Sequence, residues 1–150
     1  MSLHDQIEQD YLKAFKARDQ AKVDVLRLVK AALKNTEIEL RHQPLTDDEV
    51  VAVLTREAKR RQESASLYQQ GQRPELAATE EAEYQTIKTY LPAQLSDDEL
   101  IGTVKTVIAE LNPTPKDFGR VMSAVMAKVK GQADGQRVST IVKKLLTTPS

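Results

Sequence analysis

Apolar residues recur along this chain every three to four positions, and nowhere do they alternate with polar ones long enough to predict a strand. The first stripe is Leu3, Ile7, Tyr11, Ala14 and Phe15. Ser2 precedes it with Asp5 three residues on, a capping box with the shorter acid in place of Glu. A break is expected near residues 17–20, where Asp19 can cap a second helix running to about His42. Its stripe is Val25, Leu26, Val29, Leu33 and Leu40. Gln43-Pro44 ends it, because proline disfavours helical geometry in the residue before it. Thr46-Asp47-Asp48-Glu49 is a full capping box and predicts a long helix over 47–70. That helix begins with Val50, Val53 and Leu54 and then turns strongly charged. Gly71 is placed to terminate it. Pro74 suits the first turn of a fourth helix carrying Leu76, Tyr84, Ile87 and Leu91.

After Pro92 the pattern restarts. Ser96-Asp97-Asp98-Glu99 is a second full capping box, followed by Leu100, Ile101, Val104, Val107, Ile108 and Leu111. Asn112-Pro113 stops that helix. Thr114-Pro115-Lys116-Asp117 opens another, with Phe118, Val121, Met122, Val125, Met126 and Val129 on one side. Gly131 closes it, and Asp134 can cap a last helix with Val138, Ile141, Val142, Leu145 and Leu146 facing in. The reading is all-α: an N-terminal domain of about four helices over 1–91, a linker at 92–95, and a C-terminal three-helix bundle over 96–150.

Composition agrees with helices packed on helices. Aromatics are 4% of the chain and Trp is absent, so the cores must be built from aliphatic side chains. Without Cys there is no disulfide framework, thiol nucleophile or thiolate metal site. The first ten residues lack the basic and apolar regions of a signal peptide, and no apolar run approaches the ~20 residues of a membrane span. A cytoplasmic protein that does not enter membranes is the expectation. The net charge is zero. Its distribution is uneven: residues 1–91 carry 14 basic and 16 acidic groups, whereas residues 115–150 carry seven basic and two acidic.

Candidate chemistry is sparse. His4 and His42 are far apart and neither has a ligand-type partner at i+3 or i+4, so no metal is expected and both read as exposed helix-end residues. The five glycines form no phosphate-binding fingerprint, and no other cofactor is implied. Ser64 could be set beside Lys59 or Lys88, but a polar helix surface explains it better. Asp47–Glu49 and Asp97–Glu99 are accounted for by capping, and Glu80, Glu81 and Glu83 by a solvated face. No catalytic residue is identified.

Two basic features remain. Arg56, Lys59 and Arg60 share one face of the third helix, where a salt-bridged surface competes with a phosphate-contacting patch. Over 117–138, Lys128, Lys130 and Arg137 surround the turn from Gly131 to Gly135, and Arg120 in the same segment is a further candidate nucleic-acid contact. Free N–H groups of such a turn and the positive end of the last helix suit a phosphate backbone, although glycine is also what a helix end requires.

The segments RLVKAALKNTEIE (27–39), LTREAKRRQES (54–64), YLPAQLS (90–96) and DFGRVMSAVMAKVKGQADGQRV (117–138) carry a resemblance. In that order they make the chain similar, essentially end to end, to free-standing members of the GatB/YqeY family. Phe118 departs from the Met that the family often has beside this glycine. The resemblance implies an N-terminal helical domain followed by a three-helix domain. The latter is similar to the tail of the B subunit of tRNA-dependent amidotransferases, which convert Glu-tRNA(Gln) or Asp-tRNA(Asn) using glutamine as nitrogen donor. In those enzymes the tail helps hold the tRNA. Lys128, Lys130, Gly131, Ala133, Asp134 and Gly135 fall on the family motif. The resemblance also implies carbon–nitrogen ligase chemistry with glutamine as amido donor. The catalytic centres of those enzymes, however, lie in another subunit and in a separate domain that this chain has no room for. Fold-sharing does not carry an activity. The expected function is therefore a tRNA-associated accessory protein, non-catalytic by itself, whose partners are tRNA and aminoacyl-tRNA synthetase or amidotransferase subunits. The alternatives are a protein–protein adaptor and a true amidotransferase component.

Overall fold

The computed structural model of the chain describes residues 1–147 and is all-α. Residues 148–150, which the expected C-terminal domain includes, lie outside the described residues. Seven α-helices appear among those described: α1 (Leu3–Lys16), α2 (Gln20–Leu40), α3 (Asp47–Gln70), α4 (Pro74–Lys88), α5 (Asp97–Leu111), α6 (Phe118–Val129) and α7 (Gly135–Thr147). A short 3-10 turn, Pro115–Asp117, leads into α6. The chain divides into two compact units, Met1–Leu91 and the part from Pro92 onward.

Local chemistry sets most helix starts. The Ser2 hydroxyl accepts from Asp5 N–H at 3.1 Å, and Asp19 accepts from Lys22 N–H at 3.3 Å. Thr46 and Ser96 each form the reciprocal capping box with Glu49 and Glu99. At Glu49 the bond from Thr46 N–H comes first in holding the carboxyl below its ordinary range. Asp134 accepts from Arg137 N–H at 2.8 Å at the start of α7. Gly71 caps α3 with an ordinary φ of −83°, and the left-handed position falls to Gln72 at 58°. The glycine's freedom is therefore unused there. Gly131, at φ 79°, does use it.

In the first unit the core is Ile7 of α1, Val25, Leu26, Val29 and Leu33 of α2, Val50, Val53 and Leu54 of α3, and Ile87 of α4. Three expected core residues lie outside it: Phe15, Leu40 and Leu76 are 60%, 46% and 37% exposed. On α1 the inward position after Ile7 is taken by Ala14, and the Phe15 ring lies beside Tyr11 instead. Leu40 is the last residue of α2, where the chain turns left-handed at Arg41. On α4 the buried residues are Ala77 and Ile87, and Leu76, in the first turn of that helix, is left partly open to solvent. Tyr90 closes this core, and its hydroxyl donates to Asp10 Oδ2 at 2.6 Å.

The second unit is simpler. Val104 and Val107 of α5, Val121, Val125 and Val129 of α6, and Val138 and Val142 of α7 meet with Leu100 and Ala133. Leu95 N–H donates to the Gln132 carbonyl at 2.8 Å, and the Gln94 side chain donates to the Gly131 carbonyl at 2.9 Å. The stretch before α5 is thus tied to the turn between α6 and α7.

Candidate functional site

The turn between α6 and α7 is built by local rules. Lys130 N–H caps α6 by donating to Met126 O at 3.2 Å, and Gln132 N–H donates to Val129 O at 2.6 Å. Gly131 supplies the left-handed step that reverses the chain. Ala133 is buried, and α7 begins at Gly135, beside which a side chain would meet open space. Several amides expected to face an incoming anion therefore have partners already. Arg137 N–H is one of them, held by the Asp134 carboxylate.

The side chains around the turn divide into two groups. Arg137 is committed to holding the unit together: its Nη2 donates to the Leu95 carbonyl at 2.9 Å and to Asp97 Oδ1 at 2.8 Å. Arg120 Nη2 donates to the Leu111 carbonyl at 2.9 Å, satisfying an orphan acceptor at the end of α5. Lys128 and Lys130 stay exposed. Lys128 Nζ lies 3.4 Å from Glu110, with both side chains about half exposed, so the pair is worth little and gives way readily to a stronger anion. Lys116, Lys143 and Lys144 are also exposed, with Lys143 placed over the Phe118 ring at 5.7 Å. The two acids of this stretch are both spent on capping. Asp117 accepts from Thr114 N–H at 2.9 Å, and Asp134 from Arg137 N–H.

On α3, Arg56, Lys59 and Arg60 are all exposed, with Arg60 paired to Glu57 at 3.2 Å. Two neighbours in the same charged run are not on the surface: Glu57 and Arg61 are buried. Sequence reasoning missed them because a run of six charged or small residues reads as a solvated face. The available signal was spacing, since Glu57 and Arg61 continue the Val50, Val53, Leu54 stripe one and two turns on. His4 also differs from expectation. It is half-buried and 3.5 Å from the buried Glu37, which gives that carboxylate a partner. His42 is exposed and 2.9 Å from the capping Glu49. No hydrogen bond joins Ser64 to Lys59 or Lys88, and the latter sits over the Tyr84 ring. Among the described residues no three His, Cys, Asp or Glu side chains are placed to hold a metal ion, and no helix is long and apolar enough to cross a membrane.

Residues 4–146 match the family model for Yqey-like protein, which therefore spans both units. The chain belongs to the YqeY-like family. A relative among curated proteins is Altered inheritance of mitochondria protein 41, mitochondrial, of Eremothecium gossypii. It is 29% identical over 130 residues, covering 81% of this chain and 71% of that protein. Both α3, with its buried ion pair, and the α6–α7 turn lie inside the family match.

Proposed function

We propose that this YqeY-like protein is a tRNA-associated accessory protein, non-catalytic by itself, whose second unit acts as a three-helix module that contacts the phosphate backbone. One observation carries the reading: from residue 115 to 147 both carboxylates are used as helix caps, while five lysines remain exposed. That stretch of chain is cationic inside a protein of zero net charge, which favours a polyanion locally without attracting one globally. Lys128 and Lys130, beside the turn, supply phosphate contacts. Arg137 and Arg120, bonded to carbonyls of their own unit, hold the module's shape. A relationship to glutamine-dependent amidotransferases, through their tRNA-holding tail, supports tRNA as the polyanion. A cytoplasmic site of action is part of the proposal; the name of the Eremothecium relative makes a mitochondrial one the alternative.

The test is tRNA binding across a salt series. Binding should weaken steeply with salt, and Lys128→Ala with Lys130→Ala should reduce the slope of log affinity against log salt by roughly one per lysine. Unchanged affinity in the double variant, or no binding at low salt, overturns the reading. A protein-adaptor role has one observation in its favour. A groove of about 660 Å³ between α5 and α7 is floored by Ile101, Ile141 and Leu145 and edged by Lys105. A partner segment with an apolar face and an acidic flank would match it, and its binding should persist after nuclease treatment.

A further inference from the structure

A second cavity, of about 440 Å³, opens in the first unit between α2, α3 and α4, and nothing in the tRNA reading uses it. Its floor holds two of the three buried charged residues among those described. The Glu57 and Arg61 side chains are only 7% and 9% exposed, and charged groups are almost never buried so far unless paired. Arg61 meets Glu57 at 3.3 Å and, through Nε, Glu83 at 3.3 Å. Arg60 adds a 3.2 Å contact to the second oxygen of Glu57. Both guanidiniums are thus committed to Glu57 and Glu83.

Glu80 lines the same cavity and is left over. Its carboxylate makes no hydrogen bond or ion pair among the described residues. Partial burial, and then the neighbouring charge of Glu83, raise its pKa above the ordinary glutamate value, and the charge of Arg61 only partly offsets them. The side chains of Ser64 and Asn35, also on the wall, make no hydrogen bond among the described residues either. Three glutamates against two arginines leave the cavity one negative charge in excess, which disfavours an anionic ligand. An excess negative charge suits a cationic ligand, and among the described residues no cluster fit for a metal ion is present. The ligand's shape follows from the wall. Glu80, Ser64 and Asn35 offer three uncommitted acceptors, and an ammonium group has three donors. Ala31 and Ala32 leave room beside them for an aliphatic chain.

We propose that this cavity binds a primary alkylammonium group, its N–H donors shared among Glu80, Ser64 and Asn35 and its carbon chain lying along α2 at Ala31 and Ala32. A free alkylamine and the lysine side chain of a peptide present the same chemistry, and the experiment separates them. The full-length protein is titrated, by amide-resolved NMR, with cadaverine, with N-acetyl-lysine methylamide, and with 1-pentanol as an uncharged control. Saturable shifts at the α2, α3 and α4 residues of the cavity are expected with either charged probe. Tighter binding of cadaverine assigns the site to free amines, and equal or tighter binding of the lysine derivative assigns it to peptides. Glu80→Gln, which removes a charge without leaving a partner, should keep the fold by circular dichroism and weaken binding about tenfold or more. Ser64→Ala should weaken it by a few-fold. The proposal is overturned if neither charged probe saturates, if 1-pentanol binds as well, or if a folded Glu80→Gln protein binds as tightly as the original.

Discussion

The two units solve the same packing problem with different materials. From Pro92 onward the core is almost pure valine, and every charged side chain described there reaches solvent. The first unit has a larger and more varied core, yet it buries Glu37, Glu57 and Arg61 at its margins. Apolar packing is forgiving, because aliphatic side chains of about the right size can fill a bundle. A buried ion pair is not, because each partner is costly without the other. The comparison therefore teaches where each unit is specified: the second by the volume of its valines, the first by a charge network linking α3 to α4.

The largest break in that contrast should come from Arg61→Ala. It strips a buried cation from two carboxylates and is expected to cost about 3–5 kcal/mol. Chemical denaturation would read this, and a loss under about 1 kcal/mol would mean that the network is dispensable. Next is Val125→Ala in the centre of the second unit, where a buried branched side chain leaves a cavity. About 2 kcal/mol is expected in the same measurement. Tyr90→Phe removes the bond to Asp10 and should cost about 1–2 kcal/mol, with Asp10 left able to reach water.

The smallest effects concern pH and the surface. Glu80 has a raised folded-state pKa, so its ionisation withdraws stability as pH climbs from the ordinary glutamate value through the raised one. Glu80→Gln should flatten that part of the stability profile and stabilise the protein at neutral pH. Glu49 has the opposite sign. Its depressed pKa contributes stability above the ordinary glutamate value, and this is lost as pH falls through the folded value. In a pH series, Glu49→Gln should reduce the acid-induced loss. Lys128→Ala should move stability by no more than about 0.5 kcal/mol, since its pair with Glu110 is exposed.

What the sequence made legible was local. Caps at Ser2, Asp19, Thr46, Ser96 and Asp134 are decided within three residues, so their pattern names the helix starts directly. Stripes give the buried faces, but a single position such as Phe15 slips because one residue is a 100° rotation. At the candidate interface the sequence located the cations but could not say which were spoken for. Arg137 finds Asp97 at a separation of 40 residues, and Lys128 finds Glu110 at 18. Likewise Arg61 meets Glu83 across 22 residues, a pairing that only the packing of α3 on α4 creates. Long-range partners of charged groups have no periodic signature, and so the network in the first unit was hidden inside an apparently ordinary charged helix.

The hydroxyl of Tyr90 has one more use. All four tyrosines lie before Pro92 and the protein has no tryptophan, so intrinsic fluorescence reports on the first unit alone. A phenol held against a carboxylate is quenched, and release from Asp10 should brighten it. Melting followed by emission and by far-ultraviolet dichroism at once would then separate two transitions without any label. Coincident curves would mean that the halves unfold as a single cooperative body.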